Sequence, residues 1–390
     1  MAVTSWIEVS QERLKGNYRA IAAAVGAAFG AGTDVLAVVK ANAYGHGAEV
    51  CSVALARAGA RWFGVADAGE GARVRRALDA AGFVDEEILV MCGFVPGSGA
   101  DWPLSVKDRL TPVVWTSEQM CCLYGWPGYR VHLEVDTGMG RQGARPGVEL
   151  DAVLDLIGTA GLVLDGVMTH FCAAEVAGGE KTLEQQRRFA AALAQVRGKG
   201  MRPKWVHAGS SSSVDNPAGD GVWLVELAKS VGARAMVRCG IALYGYCLPI
   251  EGAGESKLRG ALRPVMTWKT RVLDVRDVAA GETVGYNATF TAPGPMRLAL
   301  LPVGYADGLR RELGGTNERP GGWVMIRGER AAIVGRVSMN LTTVDVSGIE
   351  GVGVGDEVVV LGDGVTADDH ARLAGTISYE ILCGVGKGSC

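Results

Sequence analysis

Residues 35–47 read V-L-A-V-V-K-A-N-A-Y-G-H-G, a continuous apolar run that ends in Lys40 and breaks at once into a small-residue loop containing Tyr44 and His46. The run is short, rich in β-branched residues and followed by turn formers, so it predicts a strand buried on both faces, as in a parallel sheet, rather than a helix. Such a strand delivers Lys40 at its carboxyl end, where a lysine amine can attack an aldehyde and form a Schiff base.

Outward from this stretch the pattern repeats. Seven further apolar runs, Trp62–Ala66, Ile88–Cys92, Thr111–Val114, Val131–Val135, Val163–Thr169, Lys204–His207 and Met236–Arg238, bring the number of strands to eight. Helical stretches separate most of them: Ala48–Ala58, Gly69–Ala81, Glu118–Tyr124, Gly147–Ala160 and Leu183–Gly200. Ahead of the first barrel strand, Trp6–Val9 alternates like a strand and Ser10 caps a helix running to about Phe29. Eight alternating units predict a closed (β/α)8 barrel over residues 10–250. The competing arrangement is an open doubly wound sheet, but no G-x-G-x-x-G run opens a helix after a strand. Past a glycine-rich and charged linker at Ile250–Arg259 the texture changes. Closely spaced strands follow at Val265–Val275, Thr283–Tyr286, Met296–Pro302, Trp323–Ile326, Ala331–Val334, Leu341–Val344 and Glu357–Leu361. A mainly β domain of residues 251–390, joined by 1–9, is expected.

Composition narrows the class. The 390 residues carry a net charge of −3 with no basic or acidic bias, so no nucleic-acid footprint is expected. Nine cysteines without C-x-x-C spacing read as reduced thiols and not as a metal site. The amino terminus lacks a secretory pattern and no apolar run approaches membrane-spanning length, so a soluble, cytoplasmic enzyme is expected.

In a barrel the chemistry sits at the carboxyl ends of strands. Lys40, Glu134, Arg141, His170, His207 and Arg238 all fall there. Two loops, H-A-G-S-S-S-S at 207–213 and R-C-G-I-A-L-Y-G at 238–245, follow the last two barrel strands, where barrels commonly bind phosphate through hydroxyls and backbone amides.

V-V-K-A-N-A-Y-G-H-G resembles the pyridoxal-phosphate lysine motif of the alanine racemase family, and the resemblance extends from the first strand almost to the last residues. It implies pyridoxal 5'-phosphate as cofactor, Lys40 as its Schiff-base lysine, and a phosphate held by Tyr44, Ser211, the backbone of Gly240 and Ile241, and Tyr379 in I-S-Y-E. Arg238 would face the pyridine nitrogen, with His170 and His207 alongside. Arginine donates a hydrogen bond but does not readily surrender a proton, so the ring stays a weak electron sink. Racemisation needs a base on each face of the reacting carbon. The resemblance makes these Lys40 and Tyr286, in V-G-Y-N-A-T-F, with Tyr286 supplied by the other subunit of a head-to-tail homodimer. Tyr305 in P-V-G-Y-A-D-G would line the access to the site. Arg141 and the backbone of Met339, in G-R-V-S-M-N, would bind a small amino-acid substrate. The implied reaction interconverts L- and D-alanine, as in supplying D-alanine for peptidoglycan precursors.

The chain departs from that pattern at Glu134, where the family usually has a lysine bearing a carbamate that orients the arginine corresponding to Arg141. A built-in carboxylate keeps the charge but is shorter by roughly 4 Å, so no carbamylated lysine is expected. Ser210 and Asn340 also differ from the usual residues, which bears on substrate preference. Alternatives are a racemase of serine or of broader range, a barrel decarboxylase, which would place glutamate and not Arg238 at the ring nitrogen, and a non-catalytic cofactor-binding barrel, which would lack the β domain and Tyr286.

Overall fold

The computed structural model describes residues 5–96, 107–216, 220–253, 256 and 258–386. The chain forms two compact units, one of Glu12–Ala43 and Gly47–Arg263, the other of Met1–Gln11, Tyr44–His46 and Pro264–Cys390.

The first unit is a closed parallel barrel. Its strands are β2 (Asp34–Val38), β3 (Trp62–Val65), β4 (Glu87–Val90), β5 (Leu110–Val114), β6 (Arg130–Glu134), β7 (Val163–Met168), β8 (Trp205–His207) and β9 (Arg234–Cys239), with β9 pairing back onto β2. All eight expected strands are present to within two residues of either end. The reason is visible in their burial: every residue of β3 and β5, and all but the first of β2, lies inside. Runs buried on both faces leave no polar alternation to confuse the reading. The helices between them are cut by local capping. Asp67 accepts a hydrogen bond from the backbone of Glu70 at 2.9 Å at the start of Ala68–Ala80, and Thr116 forms a capping box with Gln119 at the start of Ser117–Cys122. Asp220–Ser230 is a further helix, before β9, that the serine- and glycine-rich sequence around it hid. Of the expected linker, residues 254, 255 and 257 lie outside the described residues.

The second unit is built on an eight-stranded sheet. β1 (Ser5–Val9) pairs antiparallel with β10 (Met266–Arg271), and the order continues through β18 (Glu357–Leu361), β15 (Trp323–Ile326), β16 (Glu329–Ile333), β17 (Thr342–Asp345) and β14 (Met296–Leu301) to β11 (Asp274–Val278). Three local expectations change. Val265–Val275 is two strands, β10 and β11, parted at Val272–Leu273, so the apolar run conceals a corner. Thr283–Tyr286 is a strand of only two residues, β12 (Thr283–Val284), paired with β13 (Phe290–Thr291). Gly285 at φ +78° turns the chain there, and Tyr286 opens a 3-10 turn. The carboxyl-terminal part adds helices at Ala367–Ala374 and Ser378–Gly384, although Thr366, capping the backbone of Asp369, is a start signal written in the sequence.

Candidate active site

Lys40 follows β2 after a single residue, Val39, and is half-buried. Behind it Ala41, Asn42, Ala43 and Tyr44 all take left-handed backbone conformations, with φ of 53–54°. Each such L-residue costs roughly 1–2 kcal/mol, so this turn needs support. Glu70 supplies it: one carboxylate oxygen accepts from the Asn42 amide at 3.1 Å and the other from the Ala66 amide at 2.9 Å. The Asn42 side chain accepts from the Ala48 amide at 2.9 Å, and the Ala43 amide donates to the Val39 carbonyl at 2.8 Å. The turn fixes the direction in which the lysine leaves the sheet. In the second unit the rings of Tyr44 and Tyr379 lie 5.9 Å apart.

At the centre of the barrel mouth a donor-only group lies between two imidazoles. Arg238, buried near the end of β9, donates from Nη2 to the Thr169 carbonyl at 2.7 Å, with His170 Nδ1 at 3.0 Å from the same nitrogen, and from Nη1 toward His207 Nδ1 at 3.3 Å. Both imidazoles are kept neutral. Burial, then the positive charges of Arg238, Arg141 and Lys40, push the His170 pKa down to about 3, and burial holds His207 well below the ordinary histidine value. His370, in the second unit, is likewise pushed down to about 4, chiefly by burial.

These shifts carry a stability prediction. Unfolded histidines take up protons near pH 6.5 while the folded ones stay neutral far below it, so the stabilisation is whole above that pH and is lost progressively as pH falls toward 3. Thermal midpoints measured from pH 7.5 to 4.5 are expected to fall steadily, and a flat profile would show that these imidazoles are not held neutral.

Glu134 ends β6 and is buried. It accepts a hydrogen bond from the Gln142 side chain, which also donates to the Met91 carbonyl at 3.0 Å. Burial raises its pKa, with Gln142, Arg238 and Arg141 pulling the other way. Arg141 remains exposed, and among the described residues no ion pair joins it to Glu134. The shorter carboxylate is thus satisfied by its own neighbour, Gln142.

At the phosphate-type loops, Ser211 Oγ accepts from the Gly240 amide at 3.1 Å and the Ala242 amide at 3.4 Å, with Ile241 buried between them. Gly209, at φ +80°, lets the loop turn into Ser211–Asp215; a Cβ there would lie 3.0 Å from that of Ser213. A hydroxyl and convergent backbone amides are the donor set an anionic group requires.

The barrel therefore brings together Arg238, His170 and His207, with Ser211 against Gly240. Tyr286, Tyr305 and Met339 belong to the second unit and are 67%, 44% and 56% exposed. The Tyr305 amide donates to the Ser338 carbonyl at 3.0 Å and the Ala306 amide to Met339 at 2.9 Å, which sets Tyr305 beside Met339. Three contributors were not expected from sequence. Glu70 and Gln142 look like ordinary surface polar residues in a helix and a loop. His132, inside β6, lies 2.9 Å from His207 through Nδ1 and Nε2, yet nothing in the spacing of the two histidines announces it.

Residues 9–248 match the family model described as alanine racemase, N-terminal domain, and residues 265–389 match alanine racemase, C-terminal domain. The chain is 34% identical over 393 residues to the alanine racemase of Syntrophobacter fumaroxidans, covering 98% of this chain and 96% of that protein. It is 36% identical over 392 residues to the alanine racemase of Symbiobacterium thermophilum, covering 98% and 95%. Among solved structures, the alanine racemase of Streptomyces coelicolor A3(2) superposes with a TM-score of 0.85 at 31% identity, covering 99% of this chain and 97% of that one. The alanine racemase of Bartonella henselae, solved with covalently bound pyridoxal phosphate, gives 0.78 at 26% identity, covering 99% and 98%.

Proposed function

The chain belongs to the alanine racemase family, and from that premise we propose that it interconverts L- and D-alanine with pyridoxal 5'-phosphate, using Lys40 and Tyr286 as opposed bases. The observation that carries the reading is the setting of Arg238, a donor-only group held between two neutral imidazoles at the barrel mouth that also receives the charge of Lys40.

The residues fit the cofactor. Ser211 Oγ and the amides of Gly240 and Ile241 suit its phosphate, the Lys40 amine suits its aldehyde, and Arg238 suits a ring nitrogen that accepts without being protonated. Tyr44 and Tyr379 would complete the phosphate contacts. When bound, pyridoxal phosphate supplies the electron sink that acidifies the substrate's Cα–H. Arg238 limits that sink by withholding its proton, which favours return of a proton to carbon over side reactions. Lys40 Nζ removes or returns the proton on one face. The Tyr286 hydroxyl does so on the other, contributed by a second copy of the chain in a head-to-tail dimer. His170 accepts from Arg238 at Nδ1 and so presents N–H from Nε2, available to the tyrosine. Met339 and Arg141 would receive the substrate carboxylate, Glu134 would steady the charge near Arg141, and Tyr305 would restrict the site to small side chains. A role in the cytoplasm, supplying D-alanine for peptidoglycan precursors, follows from the same reading.

Purified protein loaded with the cofactor and incubated with L-alanine in deuterated water is expected to lose optical rotation while deuterium enters the α-position. No exchange with alanine, or release of carbon dioxide, would overturn the assignment.

A further inference from the structure

Below Arg238 a line of buried polar side chains runs into the barrel: His207, then His132 on β6, then Asp165 on β7, all 0–1% exposed. His207 Nε2 lies 2.9 Å from His132 Nδ1, and His132 Nε2 faces Asp165 Oδ2 at 3.9 Å. The line is built on purpose at its narrowest point. A Cβ on Gly166 would fall 2.5 Å from His132 Nδ1, so the glycine makes room for the ring.

Donor chemistry fixes the direction of every link. Arginine has no acceptor, so His207 Nδ1 beside it carries no proton. A neutral imidazole then bears its proton on Nε2 and donates it to His132 Nδ1, which leaves the His132 proton on Nε2, the nitrogen nearest Asp165. The last gap is too long for a hydrogen bond, and among the described residues neither side-chain oxygen of Asp165 has a hydrogen-bond partner, so the carboxylate acts through its field. Burial pushes the Asp165 pKa up, but His132, Arg130 at 3.6 Å and Lys204 at 3.5 Å pull harder and leave it below the ordinary carboxylate range. It is a fixed negative charge at the foot of the line. The reversed arrangement would aim an N–H of His207 at the guanidinium and a lone pair of His132 at the carboxylate, two repulsions at once.

We propose that His132 and Asp165 are positioning residues that lock His207 in its Nε2–H tautomer, so that Arg238 keeps a permanent acceptor and a single orientation at the barrel mouth. The catalytic consequence rests on Arg238 facing the cofactor ring; the tautomer does not.

The test is 15N NMR of histidine-labelled holoenzyme, tractable with five histidines, on the natural protein and on Asp165→Asn. In the natural protein His207 and His132 should each show an unprotonated Nδ1 and a protonated Nε2 across pH 6–9. In Asp165→Asn, where only the guanidinium still biases the line, an Nδ1–H fraction should appear on His132 and a smaller one on His207, and kcat should fall roughly tenfold, the scale on which the outer hydrogen-bond partner of a metal-bound histidine acts, with KM little changed. His132→Gln, which severs the line but can still accept from His207, guards against a misfolded first variant and should also lower kcat at near-constant KM. An Nδ1–H signal on His207 in the natural protein, or identical tautomers in Asp165→Asn, overturns the proposal. Correct tautomers in a protein that racemises nothing would overturn the function and leave the line standing.

Discussion

Lys40→Ala is expected to lower kcat in both directions by at least about 10⁴-fold, because in the proposed mechanism it removes a covalent anchor and an acid/base group together. The substitution falls on a half-buried side chain at a strand end and leaves the turn behind it intact, since that turn is held by Glu70 and Asn42 and not by the lysine. Folding should therefore survive, and the visible absorbance of a Schiff base with added pyridoxal phosphate should vanish. Lys40→Arg separates the two roles, keeping a cation without an amine that can condense. It should be as inactive as the alanine variant. Retention of even a tenth of the natural turnover by either would remove Lys40 from the chemistry.

Tyr286→Phe should be unequal in its effect. It deletes one oxygen from a side chain that is 67% exposed, so stability should change by no more than about 0.5 kcal/mol. Proton exchange at the α-carbon should fall by about 10²–10⁴-fold from one enantiomer of alanine and far less from the other. Following deuterium incorporation separately from L- and D-alanine measures this directly. Equal losses would mean that the tyrosine serves the site without holding a proton in it. Because the proposed partner is a second copy, mixing Tyr286→Phe with an inactive Lys40→Ala variant should restore activity of up to about a quarter of the natural level by forming one intact site in hybrid dimers; no recovery would argue against a shared site.

The barrel was legible because its strands are buried on both faces and therefore appear as plain apolar runs, of which 35–40 is the clearest. The β domain was less so. Its corner at Val272–Leu273 has no glycine or proline to mark it, and the two-residue strand before Tyr286 is ended by a backbone angle at Gly285 that only a structure shows. The site divided in the same way. Residues at strand ends, Lys40, His170, His207 and Arg238, could be located from position in the repeat. His132 and Asp165 could not, since they sit mid-strand where apolar residues are expected and are brought to His207 by the parallel pairing of β6, β7 and β8. Gln142 was hidden differently: its value comes only from the shortness of Glu134.

The left-handed turn behind Lys40 also bears on how the protein could be improved. Glycine accepts that backbone freely, so Ala41→Gly or Ala43→Gly relieves local strain, at the expense of a looser unfolded chain and a less firmly aimed lysine. Selection for heat tolerance and selection for turnover would pull in different directions at these two alanines, and a library confined to residues 41–44 would reveal the trade-off in a single round.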